Sequence, residues 1–274
     1  MPELPEVETI KNLLSKGGPD WPPLVGKTIA AAQVLWQRTL ATPAPKRFSR
    51  QVVGQAIKTI ERRGKFLSLV LSRDTLLIHL RMSGDLQMEP QILPFALHHR
   101  LVLNLDDGWR LALNDPRKFG RVWLTDQPNT VLGKLGPEPL DDAFTPEALY
   151  QRLQARHRQL KPLLMDQSFL AGLGNIYTDE ALHLACLHPL TLSNQLTLEQ
   201  AERLWASLRA VLQEGIRRNG ASIDWVYRGG EFQNYFRVYQ RTGEACPTCG
   251  TPIQRTTVGQ RGTHFCPTCQ PAPT

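Results

Sequence analysis

Apolar positions along the chain change period twice. From Pro5 onward, Val7, Ile10, Leu13 and Leu14 recur at helical spacing, and Gly17-Gly18 can end the run. Pro5 suits a first helical position, and Glu6 and Glu8 suit the positive end of a helix dipole. From about Gly26 to Thr125 the pattern becomes that of strands. TIAAAQVLW, KFLSLVLS, TLLIHLRM and RLVLNL are short and rich in branched or alternating apolar residues. Turn signals separate them at Arg63-Gly64, Ser72-Arg73-Asp74 and Asp107-Gly108. Many short strands at close spacing predict an antiparallel sandwich or barrel. The stretch TDQPNTVLGKLGPEPLDD then reads as a linker, rich in Pro, Gly and Asp. Helical spacing returns beyond it. Thr145-Pro146-Glu147 is a cap followed by an N1 proline, and Thr197 with Gln200 forms a capping-box pattern. Leu198, Ala201, Leu204, Trp205, Leu208, Val211 and Leu212 make one apolar face over about four turns.

Length and charge narrow the class. A chain of 274 residues can hold a full core, most simply in two domains. Hydrophobic content of 41% and 21% charged residues mark an ordinary globular protein, and no apolar stretch approaches membrane-spanning length. The start lacks the cation and apolar run of a secretory signal. The net charge of +7 is lopsided: 19 Lys+Arg face 12 Asp+Glu up to Lys134, against 13 of each beyond it. Such an excess points to a polyanion, nucleic acid or anionic membrane; the alternative is solubility alone.

Four of the five cysteines, Cys246, Cys249, Cys266 and Cys269, fall in the pattern C-x2-C-x16-C-x2-C. Two thiolates from each knuckle can reach one tetrahedral zinc ion, and Gly250 frees the turn after the first pair. Disulfides are the alternative, but a chain otherwise poor in cysteine and without an export signal belongs in a reducing compartment, the cytoplasm. Four thiolates leave no open position for water, so the single Zn2+ is expected to be structural. Cys186, in an apolar helical stretch, reads as a small core residue.

Three further stretches carry candidate chemistry. In NDPRKFG, residues 114–120, a turn holds two cations and Phe119 at its tip. An exposed Phe flanked by Arg117 and Lys118 could wedge a base stack; the alternative is a β-turn with Phe119 folded into the core. In LAGLGNIYTDEAL, residues 170–182, Gly172, Gly174 and Asn175 precede a helix. Glycines there let backbone N–H groups approach a phosphate, or let helices pack tightly. In RRGKFLSL, Lys65 follows a hairpin turn beside Arg62 and Arg63, on a sheet face or in a solvated basic turn.

Taken together these stretches resemble the formamidopyrimidine-DNA glycosylases, with endonuclease VIII as their close relatives. PELPEVET, RRGKF, HLRMSGDL, DPRKFG, LGPEPL, LKPLLMD, GLGNIYTDEAL and the terminal four-cysteine element run in family order over nearly the whole chain. The resemblance implies an α+β protein of two domains. An N-terminal antiparallel β-sandwich with flanking helices joins a C-terminal helix–two-turns–helix domain with a β-hairpin zinc finger. The implied boundaries are 1–125 for the catalytic sandwich, 126–144 for the linker, 145–236 for the helical DNA-binding domain and 237–274 for the finger.

The resemblance also implies a function: excision of oxidised purines from damaged double-stranded DNA, followed by strand nicking at the abasic site. In this family the initiator Met is removed and the exposed proline, Pro2 here, is the nucleophile. Glu3 matches the acid beside it, and Glu6 fits a supporting polar role. Lys65 matches the lysine that assists base loss and β-elimination, and Arg261 the arginine linked to phosphate binding and δ-elimination. Met82, Arg117 and Phe119 match the side chains that fill the space a flipped nucleotide leaves. His98, Arg156, Lys161, Asn175 and Arg261 match phosphate or backbone contacts, with His99 as the alternative register for His98. The implied protein is a monomer with no membrane partner.

Two departures stand out. Arg81 occupies a position where many relatives have Gly. The segment 219–241 is shorter than the loop that covers the flipped purine in well-studied relatives. The PELPE start favours oxidised purines over the oxidised pyrimidines of endonuclease VIII. A zinc-finger DNA-binding protein without catalysis is the remaining alternative, and the intact Pro2–Glu3–Lys65 set argues against it.

Overall fold

Helix α1 (Leu4–Lys16) starts where the sequence places it, with a proline in its first turn and Glu3 as its N-cap. The structure, a computed structural model, describes residues 1–222 and 229–273. Val7, Ile10 and Leu14 of α1 are buried in one apolar cluster with residues of the strands that follow. Each such side chain contributes about 1.5–3 kcal/mol by leaving water, so the apolar stripe fixes which face of α1 points inward.

Among the described residues, nine strands and two helices follow in this first unit: β1 (Ile29–Val34), β2 (Leu40–Thr42), α2 (Pro45–Val52), β3 (Ile57–Arg63), β4 (Phe66–Leu71), β5 (Thr75–His79), β6 (Asp85–Pro90), β7 (His99–Leu105), β8 (Trp109–Asn114), β9 (Arg121–Thr125) and α3 (Asn129–Leu132). They form a four-stranded sheet in the order β1-β7-β8-β6 and a five-stranded sheet in the order β2-β9-β5-β4-β3. Leu101, Leu103 and Leu111 of the first sheet share a core with Leu67, Leu69 and Ile78 of the second. This is a sandwich with one departure from the antiparallel expectation: the short edge strand β2 pairs parallel to β9. Strand β2 is three residues long and joins an otherwise antiparallel sheet only at its edge, the usual place for a mixed pair.

The three turn signals of the sequence all lie at hairpin turns. Arg63 pairs with Phe66, so Gly64 and Lys65 are the whole β3–β4 turn, and Gly64 takes φ 57. That left-handed turn matches the twist of the two strands.

The second unit comprises Leu135–Ala221 and the chain from Gly230 onward; the first comprises Met1–Lys134 together with Ser222 and Gly229. The second unit holds α4 (Pro146–Gln154), α5 (Leu160–Leu164), α6 (Asn175–Leu184), α7 (Leu198–Arg217) and the hairpin β10 (Gln254–Val258) with β11 (Arg261–Phe265). Both sequence caps act as caps. Thr145 Oγ1 accepts from Ala148 N–H, and Thr197 and Gln200 satisfy each other's backbone N–H. Ala201, Leu204, Leu208, Val211 and Leu212 are the buried face of α7.

Part of the stretch read as a linker is built into this unit. Gly136 N–H donates to Gln167 O at 2.8 Å, and Ala171 N–H donates to Pro137 O at 3.0 Å. A Cβ on Gly136 would lie 2.5 Å from Phe169 O, so only glycine fits there. Cys186 is not a core residue: it is exposed, two residues beyond the end of α6, with φ 54. Residues 223–228, in the segment matched to the lesion-covering loop, lie outside the described residues.

Candidate active site and nucleic-acid interface

At the start of α1 the chain buries charge. Pro2 is buried, Glu3 is 3% exposed and Glu6 2%. Glu3 N–H donates to Glu6 Oε2 at 2.7 Å as one half of a capping box. The Glu6 carboxylate thereby fixes the backbone next to Pro2. Arg62 Nε donates to Glu8 Oε2 at 2.7 Å, and the same guanidinium donates to Gly64 O at 3.1 Å. These bonds tie the β3–β4 turn to α1, and Lys65 in that turn is only 4% exposed. The solvated basic turn that the sequence left open is therefore excluded for Lys65.

His79 closes this region and was not legible as a site residue. Burial first, then the charges of Arg81 and Lys65, holds its imidazole down at about 3 against an ordinary 6.5. Its Nδ1 accepts the Arg81 N–H at 3.0 Å, and its ring meets Phe66 edge-on at 4.7 Å. Lys65 thus faces a neutral imidazole. Arg81 itself has φ 57, the left-handed region that favours glycine.

The remaining first-unit candidates lie on three loops. Met82 is half-buried between β5 and β6. Arg117 and Phe119 are exposed between β8 and β9, with Phe119 at 49% and the Arg117 guanidinium 5.1 Å from its ring centre. Phe119 is therefore not folded into the core. Of the two histidines at the start of β7, His99 is buried and sits 3.4 Å from Glu89, whereas His98 is half-exposed. The register places His98 outward.

In the second unit Asn175 opens α6 directly after Gly174, and Arg261 is exposed at the β10–β11 turn. Gly259 and Gln260 make that turn with φ 55 and 62. Asn175 Nδ2 donates to Gly262 O at 3.0 Å, so Asn175 and the residue beside Arg261 are in contact. Lys161 converges on the same carbonyl, also at 3.0 Å. Its ammonium is wholly buried and sits 2.6 Å from Asp179 Oδ1. Lys161, expected at a phosphate, has no exposed surface; its charge is used inside the unit and supports the hairpin. Arg156 stands apart at the exposed end of α4, donating to Ala155 O at 3.2 Å.

Glu180 is a second buried acid that the sequence did not single out. It accepts the backbone N–H groups of Arg237, Val238 and Tyr239 at 2.8, 3.0 and 2.8 Å. Burial raises its pKa above the ordinary carboxylate value, against the lowering effect of those three donors. It anchors the chain where it enters the finger.

The Sγ atoms of Cys246, Cys249, Cys266 and Cys269 all lie within 4.8 Å of one another. The Cys246–Cys269 and Cys249–Cys266 separations are 3.9 and 3.4 Å. A disulfide needs ~2.05 Å, whereas thiolates around one zinc ion at ~2.3 Å stand about 3.8 Å apart. The four cysteines fit zinc and not two disulfides. Thr248 N–H donates to Cys246 Sγ and Cys269 N–H to Cys266 Sγ, each at 3.4 Å, as in a zinc knuckle. His183 Nε2 lies 3.3 Å from Cys246 Sγ, outside the ligand set.

A sandwich with a buried acid–lysine start, followed by a helical unit ending in a four-thiolate hairpin, is the plan of a helix–two-turns–helix DNA glycosylase. Three family models match in that order: "Formamidopyrimidine-DNA glycosylase N-terminal domain" over residues 1–122, "Formamidopyrimidine-DNA glycosylase H2TH domain" over 135–226 and "Zinc finger found in FPG and IleRS" over 243–272. The chain belongs to the formamidopyrimidine-DNA glycosylase family. It is 47% identical to the Formamidopyrimidine-DNA glycosylase of Chloroflexus aurantiacus, covering 98% of each chain. It is 42% identical to that of Protochlamydia amoebophila, covering 98% of this chain and 99% of the relative. Among solved structures, MutM in complex with DNA containing carbocyclic 8-oxo-G matches with a TM-score of 0.91 and 37% identity, over 99% of this chain and all of that one. The Lactococcus lactis formamidopyrimidine-DNA glycosylase bound non-covalently to DNA containing an AP site matches with a TM-score of 0.90 and 36% identity, over 98% of this chain and 100% of that one.

Proposed function

We propose that this chain is a base-excision repair enzyme that removes oxidised purines, formamidopyrimidines and 8-oxoguanine, from duplex DNA and then nicks the abasic site by β,δ-elimination. The burial of Glu3 and Glu6 at the start of α1, directly after Pro2, and of Lys65 in the turn that Arg62 ties to α1, carries this reading. Burying charges costs stability unless they are paired and hydrogen-bonded, and such clusters mark sites where chemistry is done. The damaged DNA held by the structural relatives supports the substrate class.

The chemistry follows from the residues. With Met1 removed, Pro2 offers a secondary amine. An α-amino group titrates near ~8, against ~10.4 for a lysine side chain, so more of it is unprotonated at neutral pH. Its nitrogen attacks the sugar C1′, and the bond from C1′ to the base breaks, the base leaving with the bonding electrons and a proton. As the ring opens, Glu3 gives a proton to the ring oxygen, and an iminium joins Pro2 to C1′. That iminium has no N–H to lose, so its positive charge stays as an electron sink. The C2′ proton then leaves and the bond to the 3′-phosphate breaks. A second elimination expels the 5′-phosphate, with Arg261 at the phosphate. Lys65 assists base loss and the first elimination.

The target nucleotide must leave the helix at a cost of a few kcal/mol. Met82, Arg117 and Phe119 occupy the vacated space, and His98, Arg156, Asn175 and Arg261 hold the backbone. Lys161 holds Arg261's hairpin. Zinc, bound by the four cysteines, keeps the finger folded and leaves no position for water, so no step passes through it. The enzyme acts as a monomer in the cytoplasm.

Turnover on duplexes carrying 8-oxoguanine opposite C and thymine glycol opposite A tests the substrate class. The first is expected to be cut faster. Faster cutting of the second would support the endonuclease VIII-like alternative, and no scission of either, nor of an abasic site, would indicate a binding protein without catalysis.

A further inference from the structure

The three first-unit loops that carry Met82, His98, Arg117 and Phe119 meet beneath the surface on one buried residue, Asp115. Asp115 is wholly buried, and Ser83, next to Met82, is 4% exposed. Ser83 Oγ donates to Asp115 Oδ1. The other carboxylate oxygen, Oδ2, accepts the Gly120 N–H at 2.7 Å. Ser83 Oγ in turn accepts the Arg117 N–H at 3.2 Å. One hydroxyl and one carboxylate therefore hold both ends of the turn that displays Arg117 and Phe119, together with the root of Met82. The third loop joins through the backbone of the same residue. Asp115 N–H donates to His98 O at 2.8 Å, Arg100 Nε donates to Asp115 O at 2.7 Å, and Arg100 Nη1 donates to Leu97 O at 3.2 Å.

This cluster resists partial movement. A carboxylate can only accept hydrogen bonds, and no cation lies within ion-pair distance of Asp115 among the described residues. Ser83 and Gly120 supply donors to its two oxygens from opposite sides. Moving either loop alone would take the Ser83 donor from one oxygen of the buried carboxylate, a penalty in a low-dielectric site. Gly120 leaves room for this contact: a Cβ there would lie 3.2 Å from Asp115 Oδ2. Moving both loops together keeps the Ser83 bonds that join them.

We infer that Ser83 and Asp115 are positioning residues that make the insertion of Met82 and the insertion of Arg117 and Phe119 a single event. The inference rests on the reading of Met82 and Phe119 as the side chains that fill the vacated stack. Its consequence is a specificity rule: a base pair that yields to one probe but not to the other is left in place, because neither loop advances without its partner.

The test is a double-mutant cycle between Met82→Ala and Phe119→Ala, built once in the parent and once in Ser83→Ala, on the full-length zinc-loaded protein. Single-turnover excision of 8-oxoguanine opposite C and the fluorescence of a 2-aminopurine beside the lesion are the readouts. In the parent the double variant should be no worse than the poorer single variant, short of the product of the two losses by about threefold or more. In Ser83→Ala the two losses should multiply. Ser83→Cys, which fills nearly the same space but donates and accepts only weakly, should give the same loss of coupling and serves if Ser83→Ala lowers stability. Equal coupling in all backgrounds, or multiplying losses already in the parent, overturns the inference while leaving the stack-filling reading intact. Parent-level excision and base opening by both single variants overturns the two together.

Discussion

Lys161 Nζ lies 2.6 Å from Asp179 Oδ1, and neither side chain reaches solvent. Asp179 also accepts the His264 N–H at 2.9 Å, and Lys161 shares the Gly262 carbonyl with Asn175. A buried ion pair thus bridges α5 and α6 and holds the hairpin that displays Arg261. The pair does not stabilise by its charge alone, because desolvation offsets the attraction. It fixes a geometry.

Removing one partner should therefore be worse than removing both. Lys161→Ala leaves a buried carboxylate uncompensated and should cost about 3–5 kcal/mol. Lys161→Met combined with Asp179→Asn should recover much of that stability, since the amide oxygen introduced at that position still accepts from His264. It should not recover δ-elimination, because Gly262 has lost a donor. Thermal unfolding and the ratio of δ- to β-elimination products at an abasic site measure the two effects. A double variant with a parent-like product ratio would contradict the positioning role.

His79 gives the stability a pH dependence with a definite sign. Its folded value, about 3, lies below the ordinary 6.5, so between these values the unfolded chain binds more protons than the folded one. The stabilisation is complete above pH 6.5 and is lost as pH falls from 6.5 towards 3. Urea titrations at pH 7 and pH 5 should show the parent losing about 2 kcal/mol more between them than His79→Phe loses. Equal losses would contradict the buried neutral imidazole.

Arg81→Gly should raise stability, by up to about 1 kcal/mol, because φ 57 penalises any side chain with a Cβ. The Arg81 N–H bond to His79 survives the change. A fall in the melting temperature would show that Arg81 makes a compensating contact.

Much of this was legible from short-range pattern. The α1 stripe, the three turn signals, the capping residues at Thr145 and Thr197 and the cysteine spacing all depend on residues close in sequence, and each fixes local geometry. What stayed hidden depends on long-range partners. The parallel β2–β9 pair joins residues 40–42 to 122–123. Ser83 meets Asp115 across 32 positions, and Lys161 reaches Gly262 across 101. A lysine in LKPLLMD looks like a surface cation until Asp179 is placed against it. Arg81 could be flagged as an oddity, but only its backbone angle shows why glycine would suit that position.

Zinc removal should uncouple the finger from the rest. The finger's small core is built from Val238, Ile253 and two of the ligands, Cys246 and Cys266, so metal binding and local folding are one event. Protein stripped by a strong chelator and verified metal-free should lose duplex binding in a mobility-shift assay and regain it with Zn2+. Undiminished binding without metal would refute this.

The central claim concerns the Pro2 nitrogen, and borohydride trapping tests it most directly. Protein whose intact mass shows Met1 removed should form a stable adduct with an abasic-site duplex, and peptide mapping should place the DNA on Pro2. A form extended by a few residues before Pro2 should form none. Parent-level trapping by the extended form, or an adduct mapped to Lys65, would contradict the account.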